Sequence, residues 1–140
     1  MNKSSGRIWF IDDDPDDQYL FNQALQCVAN APDLHCFYDA AEMLNQLSSH
    51  ECITPDIIVM DINLPGIDGL QALNQLKQSA NYCHIPVLMY STSQAERDIS
   101  ECYRSGANSV ISKPGSYNDL LDTVSIICHY WFSVSLLHRQ

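Results

Sequence analysis

The chain has 140 residues, of which 46% are apolar and 17% charged, and its formal net charge is −10 at pH 7. A chain of this length can bury a single core, and this composition is typical of a soluble globular domain and excludes intrinsic disorder. The sequence has no apolar run near the roughly 18 to 20 residues of a membrane span. Its opening MNKSSGRIWFIDDD does not resemble a signal peptide, so we expect a cytoplasmic protein with no membrane partner.

The charges are distributed unevenly along the chain. Between Ile8 and Leu76 there is no Lys or Arg, while twelve Asp and Glu residues fall in that stretch. Nucleic acid needs a basic face, so direct DNA binding is not expected, whereas a divalent cation suits the acidic stretch. The six cysteines and five histidines are dispersed singly, a pattern that favours reduced, packed thiols and argues against a zinc site.

In chain order, the first predicted strand is the apolar run at residues 8–11, which leads into Asp12, Asp13 and Asp14. Asp14 followed by Pro15 is typical of a helix N-cap with proline at the first helical position. Asp12 and Asp13 are therefore left at the end of the strand.

Four more strand and helix units follow. Strands are predicted at residues 34–38, 57–60, 87–90 and 109–112. Helix starts are indicated by polar pairs three residues apart: Asp39 and Glu42, Asp68 and Gln71, Ser93 and Glu96, Ser116 and Asp119. Inward faces are predicted for the first helix at Leu20, Phe21, Ala24, Leu25 and Val28, and for the fourth at Ala95, Ile99, Cys102 and Tyr103. This alternation predicts an α/β domain with a mostly parallel five-stranded sheet and helices on both faces.

Chemically distinctive residues follow four of these strands. Asp12 and Asp13 follow the first strand, Asp61 the third, Ser91 the fourth and Lys113 the fifth. The carboxyl ends of parallel strands meet at one edge of the sheet, so these side chains should converge. Three carboxylates in one pocket need a cation to offset their repulsion, and a site of oxygen ligands favours Mg²⁺ or Mn²⁺. A carboxylate, a metal ion, a lysine and a hydroxyl together suit phosphoryl transfer to Asp61.

Four short motifs carry a family resemblance. The sequences IDDDP, VMDINLPGIDG, STS and SKP occur in this order, each at a predicted strand end. The chain thereby resembles the receiver domain of two-component response regulators, from about residue 7 to residue 131. The resemblance implies a flavodoxin-like, doubly wound sheet with strand order 2-1-3-4-5.

The resemblance also implies roles for individual residues. Asp61 would be the phosphoacceptor that takes a phosphoryl group from a histidine kinase. Asp12 and Asp13, with Asp61 itself and the backbone carbonyl of Asn63, would hold Mg²⁺. The chain would then be a phosphoacceptor protein that catalyses at most its own phosphorylation and dephosphorylation.

The other half of the implied site comes from the fourth and fifth strands. Ser91 would hydrogen-bond the phosphoryl group, and Lys113 would pair with it, aimed by a cis peptide bond to Pro114. The chain departs from the family pattern at Val110, where many members have an aromatic switch residue, and at Thr92, where many have alanine or glycine.

The end of the chain resembles stand-alone receivers that work with phytochrome kinases. The last helix is expected to continue through HYWFSVSLL to residue 140, with no output domain after it. Residues 1–140 would then form a single receiver domain with its core at about 7–131. Such a regulator would act by binding a downstream protein, as a homodimer formed by the fourth strand and helix unit onward.

Several acids have a simpler interpretation. Asp12 and Asp13 could be solvated acids at the start of the first helix, where negative charge is favourable. We assign Asp16 and Asp17 to that helix's first turn and Asp68 to a helix cap, without a functional role.

Three other functions remain to be weighed. Asp12 and Asp14 form a DxD pattern that would suit a Mg²⁺-dependent aspartyl phosphatase of the haloacid dehalogenase type, but such enzymes carry the nucleophile on the first strand. An EF-hand fails because Asp17 stands where glycine is required and Gln23 where glutamate is. A protein-binding module that works without phosphorylation stays open.

Overall fold

The computed structural model describes residues 6–49, 51 and 53–138, in which five strands alternate with five helices. The strands are β1 (Arg7–Ile11), β2 (Asp33–Phe37), β3 (Ile57–Asp61), β4 (Val87–Ser91) and β5 (Ser109–Ser112). The helices are α1 (Pro15–Gln26), α2 (Ala40–Leu47), α3 (Gly69–Gln78), α4 (Glu96–Arg104) and α5 (Tyr117–His129), and a π-helical segment (Tyr130–Val134) continues α5. The strand bounds agree with the predictions to within one residue at each end.

All neighbouring strands pair in parallel, in the order β2-β1-β3-β4-β5. This order confirms the predicted flavodoxin-like, doubly wound sheet. Because the order reverses direction between β1 and β3, the carboxyl ends of these two strands flank a crevice at one edge of the sheet.

The core lies in two layers, one on each face of the sheet. On one face, α2 and α3 cover the strands through buried residues such as Met43, Leu73 and Leu76. On the other face, α1 and α5 do so through Phe21 and Val124. The central strands β3 and β4 are buried at every position, as expected for a parallel sheet covered on both sides.

Polar side chains start four of the helices as predicted. Asp14, Asp39, Asp68 and Ser116 each accept a hydrogen bond from a backbone N–H in the first turn of the helix that follows, and at Asp68 both arms of a capping box with Gln71 are present. Such bonds satisfy donors that the helix itself leaves unpaired, which fixes where each helix begins.

The start of α4 corrects the prediction. The helix begins at Glu96 after Ala95, which makes no side-chain cap. The Ser93 hydroxyl instead accepts a hydrogen bond from the Ala95 N–H at 3.3 Å and donates one to Asp98 at 2.7 Å. A serine hydroxyl often bonds two residues onward and so forms a turn before the helix.

Two predicted inward faces are also partly wrong. In α4, Cys102 is buried, but Tyr103 is exposed, as is Ala95 just before the helix, and in α1 Leu20 is 40% exposed. The helix α4 lies beside β5, a strand of four residues at the edge of the sheet, which offers little surface to cover. Tyr103 accepts a hydrogen bond from the Val110 N–H through its hydroxyl, at 3.1 Å, so it caps the strand edge from outside.

The prediction of helix to residue 140 is wrong. Helical structure ends at Val134, and Ser135 takes an extended conformation with its N–H bonded to the Tyr130 carbonyl at 2.7 Å. Residues 139–140 lie outside the described part. Within that part, no helix has both the length and the apolar character that crossing a bilayer requires.

Candidate functional site

The predicted site residues meet at the carboxyl edge of the sheet. Asp61 and Ser91 are the last residues of β3 and β4, Asp12 follows β1 and Lys113 follows β5. Asp12 and Ser91 are fully buried and Asp61 is nearly so, while Asp13 is exposed. The site therefore has a closed inner wall and an open outer side.

Lys113 is the electrostatic centre of this edge. Its ammonium lies 2.8 Å from Asp17 Oδ2, 3.0 Å from Asp12 Oδ2 and 3.1 Å from Asp61 Oδ2. Burial alone would lower the pKa of Lys113, but the nearby carboxylates of Asp17 and Asp12 outweigh it and raise that pKa above its usual range. Lys113 is thus firmly cationic and neutralises part of the acidic cluster.

Asp12 is an unusual carboxylate because it is fully buried. Its Oδ1 accepts a hydrogen bond from the Asp14 N–H at 3.0 Å, while Oδ2 forms the ion pair with Lys113 but no well-directed hydrogen bond within the described part of the chain. Burial raises the pKa of Asp12 to about 6, against the opposing effects of the Asp14 N–H and Lys113. A buried carboxylate oxygen that lacks a well-directed hydrogen bond favours the binding of a further cation beside it.

The acids fit a divalent metal ion. Carboxylate oxygens of Asp12, Asp13 and Asp61 all lie within 4.8 Å of one another. Three oxygen donors with no nitrogen or sulfur ligand suit Mg²⁺ or Mn²⁺. Asn63, whose backbone carbonyl is the fourth predicted ligand, is exposed two residues after Asp61 and donates its N–H to Asp61 Oδ1 at 3.1 Å.

A glycine fixes the loop that carries Asn63. The N–H of Gly69 bonds to the Ile62 carbonyl at 2.9 Å, which closes the loop after β3. A Cβ atom at Gly69 would overlap the backbone of Asp61 and Ile62. Only glycine permits this close approach of helix α3 to the end of β3, so the loop is held tightly against the site.

The hydroxyl of Ser91 faces the same edge. It accepts a hydrogen bond from the Ser93 N–H at 3.0 Å. The neighbouring Thr92 is exposed, and Val110 on β5 packs half-buried against the core.

The predicted cis bond between Lys113 and Pro114 is wrong, because this bond is trans. The trans form of a bond before proline is favoured by about 0.5–1 kcal/mol. Lys113 reaches all three carboxylates from that geometry, so its position at the site needs no other isomer.

Three residues at the site were missed in the sequence. Asp17, assigned to the first turn of α1 with no further role, makes the shortest of the Lys113 contacts. Gln18 is buried and donates from Nε2 to the carbonyls of Asp12 and Phe37, both at 3.0 Å, which ties β1 to β2. The ring of Tyr90 lies under Lys113, with 5.5 Å from Nζ to the ring centroid.

Of these three residues, one could have been identified from the sequence. Gln18 stands three residues before Phe21 and seven before Leu25, which puts a polar amide on the buried face of α1. The sequence around Asp17 and Tyr90 did not indicate their roles, because these roles depend on Lys113, which is distant in the sequence.

The response regulator receiver domain family matches residues 8–125. The chain belongs to this family. Members of it are generally signalling proteins rather than classical enzymes.

The relatives include proteins of similar length. This receiver is 30% identical over 127 residues to the probable methanogenesis regulatory protein FilR2 of Methanothrix harundinacea, with 89% of this chain and 82% of FilR2 covered. It is 28% identical over 134 residues to response regulator Rcp1 of Synechocystis, with 93% and 91% covered. Other curated relatives are longer. This chain covers 25% of the length of one of them and 53% of the length of another.

Two solved structures are similar throughout their length. The phosphorylated cyanobacterial phytochrome response regulator RcpA is 29% identical, with a TM-score of 0.88 over 94% of this chain and 97% of RcpA. The Mn²⁺-bound form of Rcp1 is 26% identical, with a TM-score of 0.87 over 95% and 99%. Together with the cluster of Asp12, Asp13 and Asp61, the Mn²⁺-bound relative indicates a divalent metal site in this receiver.

Proposed function

We propose that this receiver accepts a phosphoryl group on Asp61 from a sensor histidine kinase, with Mg²⁺ as the cofactor, and signals by a change in protein binding. One observation carries the proposal most: a nearly buried carboxylate at the tip of β3 lies 3.1 Å from the Lys113 ammonium and shares a cation-binding cluster with Asp12 and Asp13. This arrangement supports Asp61 as the nucleophile, with Lys113 and a bound cation as the charges that would stabilise the transferred group.

The transfer is a direct displacement at phosphorus. An oxygen of Asp61 attacks the phosphorus atom of a phosphohistidine, the P–O bond forms as the P–N bond breaks, and the leaving imidazole takes a proton from solvent. Bound Mg²⁺ supplies charge neutralisation to the phosphoryl oxygens, and Asp12, Asp13, Asp61 and the Asn63 carbonyl are the groups we propose to hold it.

Ser91 and Lys113 would then hold the product. The Ser91 hydroxyl, which now accepts a hydrogen bond from the Ser93 N–H, donates to a phosphoryl oxygen, and Lys113 pairs with another. A shift of Ser91 pulls on Ser93, whose hydroxyl bonds to Asp98 on α4. The change at the site could reach α4 by this route without an aromatic residue at position 110, where this chain has valine.

The similarity to known response regulators supports a proposal for the kinase partner. RcpA is named a phytochrome response regulator, which supports a phytochrome-like kinase as the phosphodonor. A cytoplasmic location follows from that role.

A second copy of the chain is the proposed partner of an apolar face formed by α5 and the π-helical segment that continues it. Ile126, Tyr130 and Val134 recur every four residues and are 67%, 49% and 57% exposed. Ile126 and Tyr130 also line a cavity of about 670 Å³ that reaches the edge strand β5. An exposed apolar stripe of this kind favours an interaction surface.

The dimer is tested with a matched pair of isoleucines. We expect Ile126→Glu to shift sedimentation velocity profiles toward the monomer, because it places a charge in the proposed interface. Ile53→Glu, a change at a similarly exposed isoleucine away from α5 (64%), should leave the profile unchanged. An identical response of the two variants would rule out the α5 face.

The phosphorylation proposal is tested with a small phosphodonor. With acetyl phosphate and Mg²⁺, the intact mass should rise by one phosphoryl group, and an excess of chelator should prevent this. A chain that instead turns over a phosphomonoester would be a phosphatase, and one that gains no mass with either this donor or a histidine kinase would be a phosphate-independent binding module.

A further inference from the structure

The Lys113 ammonium and a metal ion compete for the same oxygens. Lys113 Nζ lies 3.0 Å from Asp12 Oδ2 and 3.1 Å from Asp61 Oδ2, and both residues belong to the candidate metal cluster. A divalent cation bound there would repel an ammonium at this distance strongly. Metal binding therefore requires that Lys113 move away from Asp12 and Asp61 without losing all of its counter-charge.

Asp17 offers Lys113 such a place. Its Oδ2 is 2.8 Å from Nζ, and its side chain is 31% exposed, against 0% for Asp12 and 9% for Asp61. Asp17 is on the first turn of α1 and is not part of the metal cluster. Its carboxylate thus remains available to the ammonium when the inner acids are occupied.

The ring of Tyr90 adds to this second position. Nζ lies 5.5 Å from the ring centroid, within the range of a cation–π contact. Tyr90 is itself fixed by edge contacts with Phe10 and Phe21 in the core. A carboxylate on one side and a rigid aromatic face on another define where the ammonium can rest.

We propose that Asp17 is a positioning residue that, with the ring of Tyr90, holds the Lys113 ammonium when a divalent cation takes its place between Asp12 and Asp61. The inference rests on the metal site of the proposed function. Asp17 matters more in the metal-bound state than in the metal-free one, because in the latter Lys113 also has Asp12 and Asp61. Loss of Asp17 therefore weakens metal binding, although Asp17 is not a ligand.

The test compares two neighbouring acids on α1. Asp17→Asn and Asp16→Asn remove the same charge one residue apart. Asp16, however, is exposed and is not among the acids that pair with Lys113 in the described part of the chain. By titration calorimetry with Mg²⁺ alone, Asp17→Asn should raise the dissociation constant roughly two- to fivefold more than Asp16→Asn, the upper part of the range for a partly exposed ion pair. Asp17→Glu, which retains the charge, should recover most of the affinity.

A double-mutant cycle isolates the role of Lys113. In a Lys113→Met background there is no ammonium to hold, so Asp17→Asn should change Mg²⁺ affinity no more than Asp16→Asn does. An effect of Asp17→Asn that persists in this background would make Asp17 a ligand or a general charge and overturn the inference. So would equal affinities of Asp17→Asn and Asp16→Asn in the otherwise unchanged chain.

These outcomes are separable from the fate of the proposed function. If the unchanged chain binds Mg²⁺ and is phosphorylated but the two variants do not differ, the inference fails and the function stands. If Asp17→Asn weakens Mg²⁺ binding as expected while the unchanged chain accepts no phosphoryl group, the inference stands and the function fails. Absence of Mg²⁺ binding to the unchanged chain at millimolar concentration overturns both.

Discussion

Asp61→Asn should reduce phosphoryl incorporation from acetyl phosphate to the level of a reagent blank. Asparagine has nearly the same shape and can still accept the hydrogen bond that the Asn63 N–H gives to Oδ1, but its amide oxygen is a poor nucleophile and carries no charge. The loss is measured as the absence of a mass shift in the intact protein with Mg²⁺ present. Asp16→Asn, with the same change in net charge, should be phosphorylated normally.

The fold should tolerate this change. Lys113 keeps Asp12 and Asp17 as partners when Asp61 is replaced, and one fewer negative charge lies in the cluster. We expect a melting temperature within a few degrees of that of the unchanged chain. A variant that is folded and still gains one phosphoryl group would place the acceptor at another acid.

The sheet was predictable because local signals along the chain agreed with one another. Short apolar runs of strand length alternated with helix starts, and four of the starts, at Asp14, Asp39, Asp68 and Ser116, are the caps that the structure has. Once the strands are known to be parallel, chain order alone brings Asp61 and Lys113 to one edge. The sequence alone was therefore enough to predict that the site residues converge.

The errors arose where the outcome depends on distant residues. An acid in a first helical turn is usually solvated, and nothing near Asp17 in the sequence indicates a lysine 96 residues later. The face of α4 was misjudged because apolar spacing does not reveal that β5 is a short edge strand. The helix past His129 ends at Val134, because the backbone of Ser135 becomes extended. The apolar residues that follow did not indicate this end.

The acidic cluster explains why the position of Lys113 at the sheet edge was predictable from the sequence while its carboxylate partners in the metal-free chain were not. Resemblance assigned Lys113 to a phosphoryl group, which is a partner only in one state of the protein. In the metal-free chain the same ammonium must neutralise carboxylates, and Asp12, Asp17 and Asp61 share it. Lys113 therefore stabilises the metal-free fold in addition to its role in the proposed phosphoryl transfer.

Lys113→Met should destabilise the metal-free protein far more than the metal-bound one. Methionine keeps an apolar stem of similar length but leaves three carboxylates without their cation, and breaking such a pair around buried Asp12 costs about 3–5 kcal/mol. We expect a loss of this order in the free energy of unfolding by urea in the presence of chelator. With Mg²⁺ at millimolar concentration most of the loss should be recovered, because the ion replaces the missing charge.

The same substitution should increase Mg²⁺ affinity, since no ammonium has to leave Asp12 and Asp61 when the ion binds. It should nevertheless slow or abolish phosphoryl transfer, because Lys113 is proposed to pair with the transferred group. Lys77→Met is the control: Lys77 bonds to carbonyls at the opposite edge of the sheet, at 2.8 Å from the Ile85 oxygen, and its loss should not make stability depend on Mg²⁺. If Lys113→Met destabilises the chain equally with chelator and with Mg²⁺, the ammonium and the metal ion do not exchange at this site.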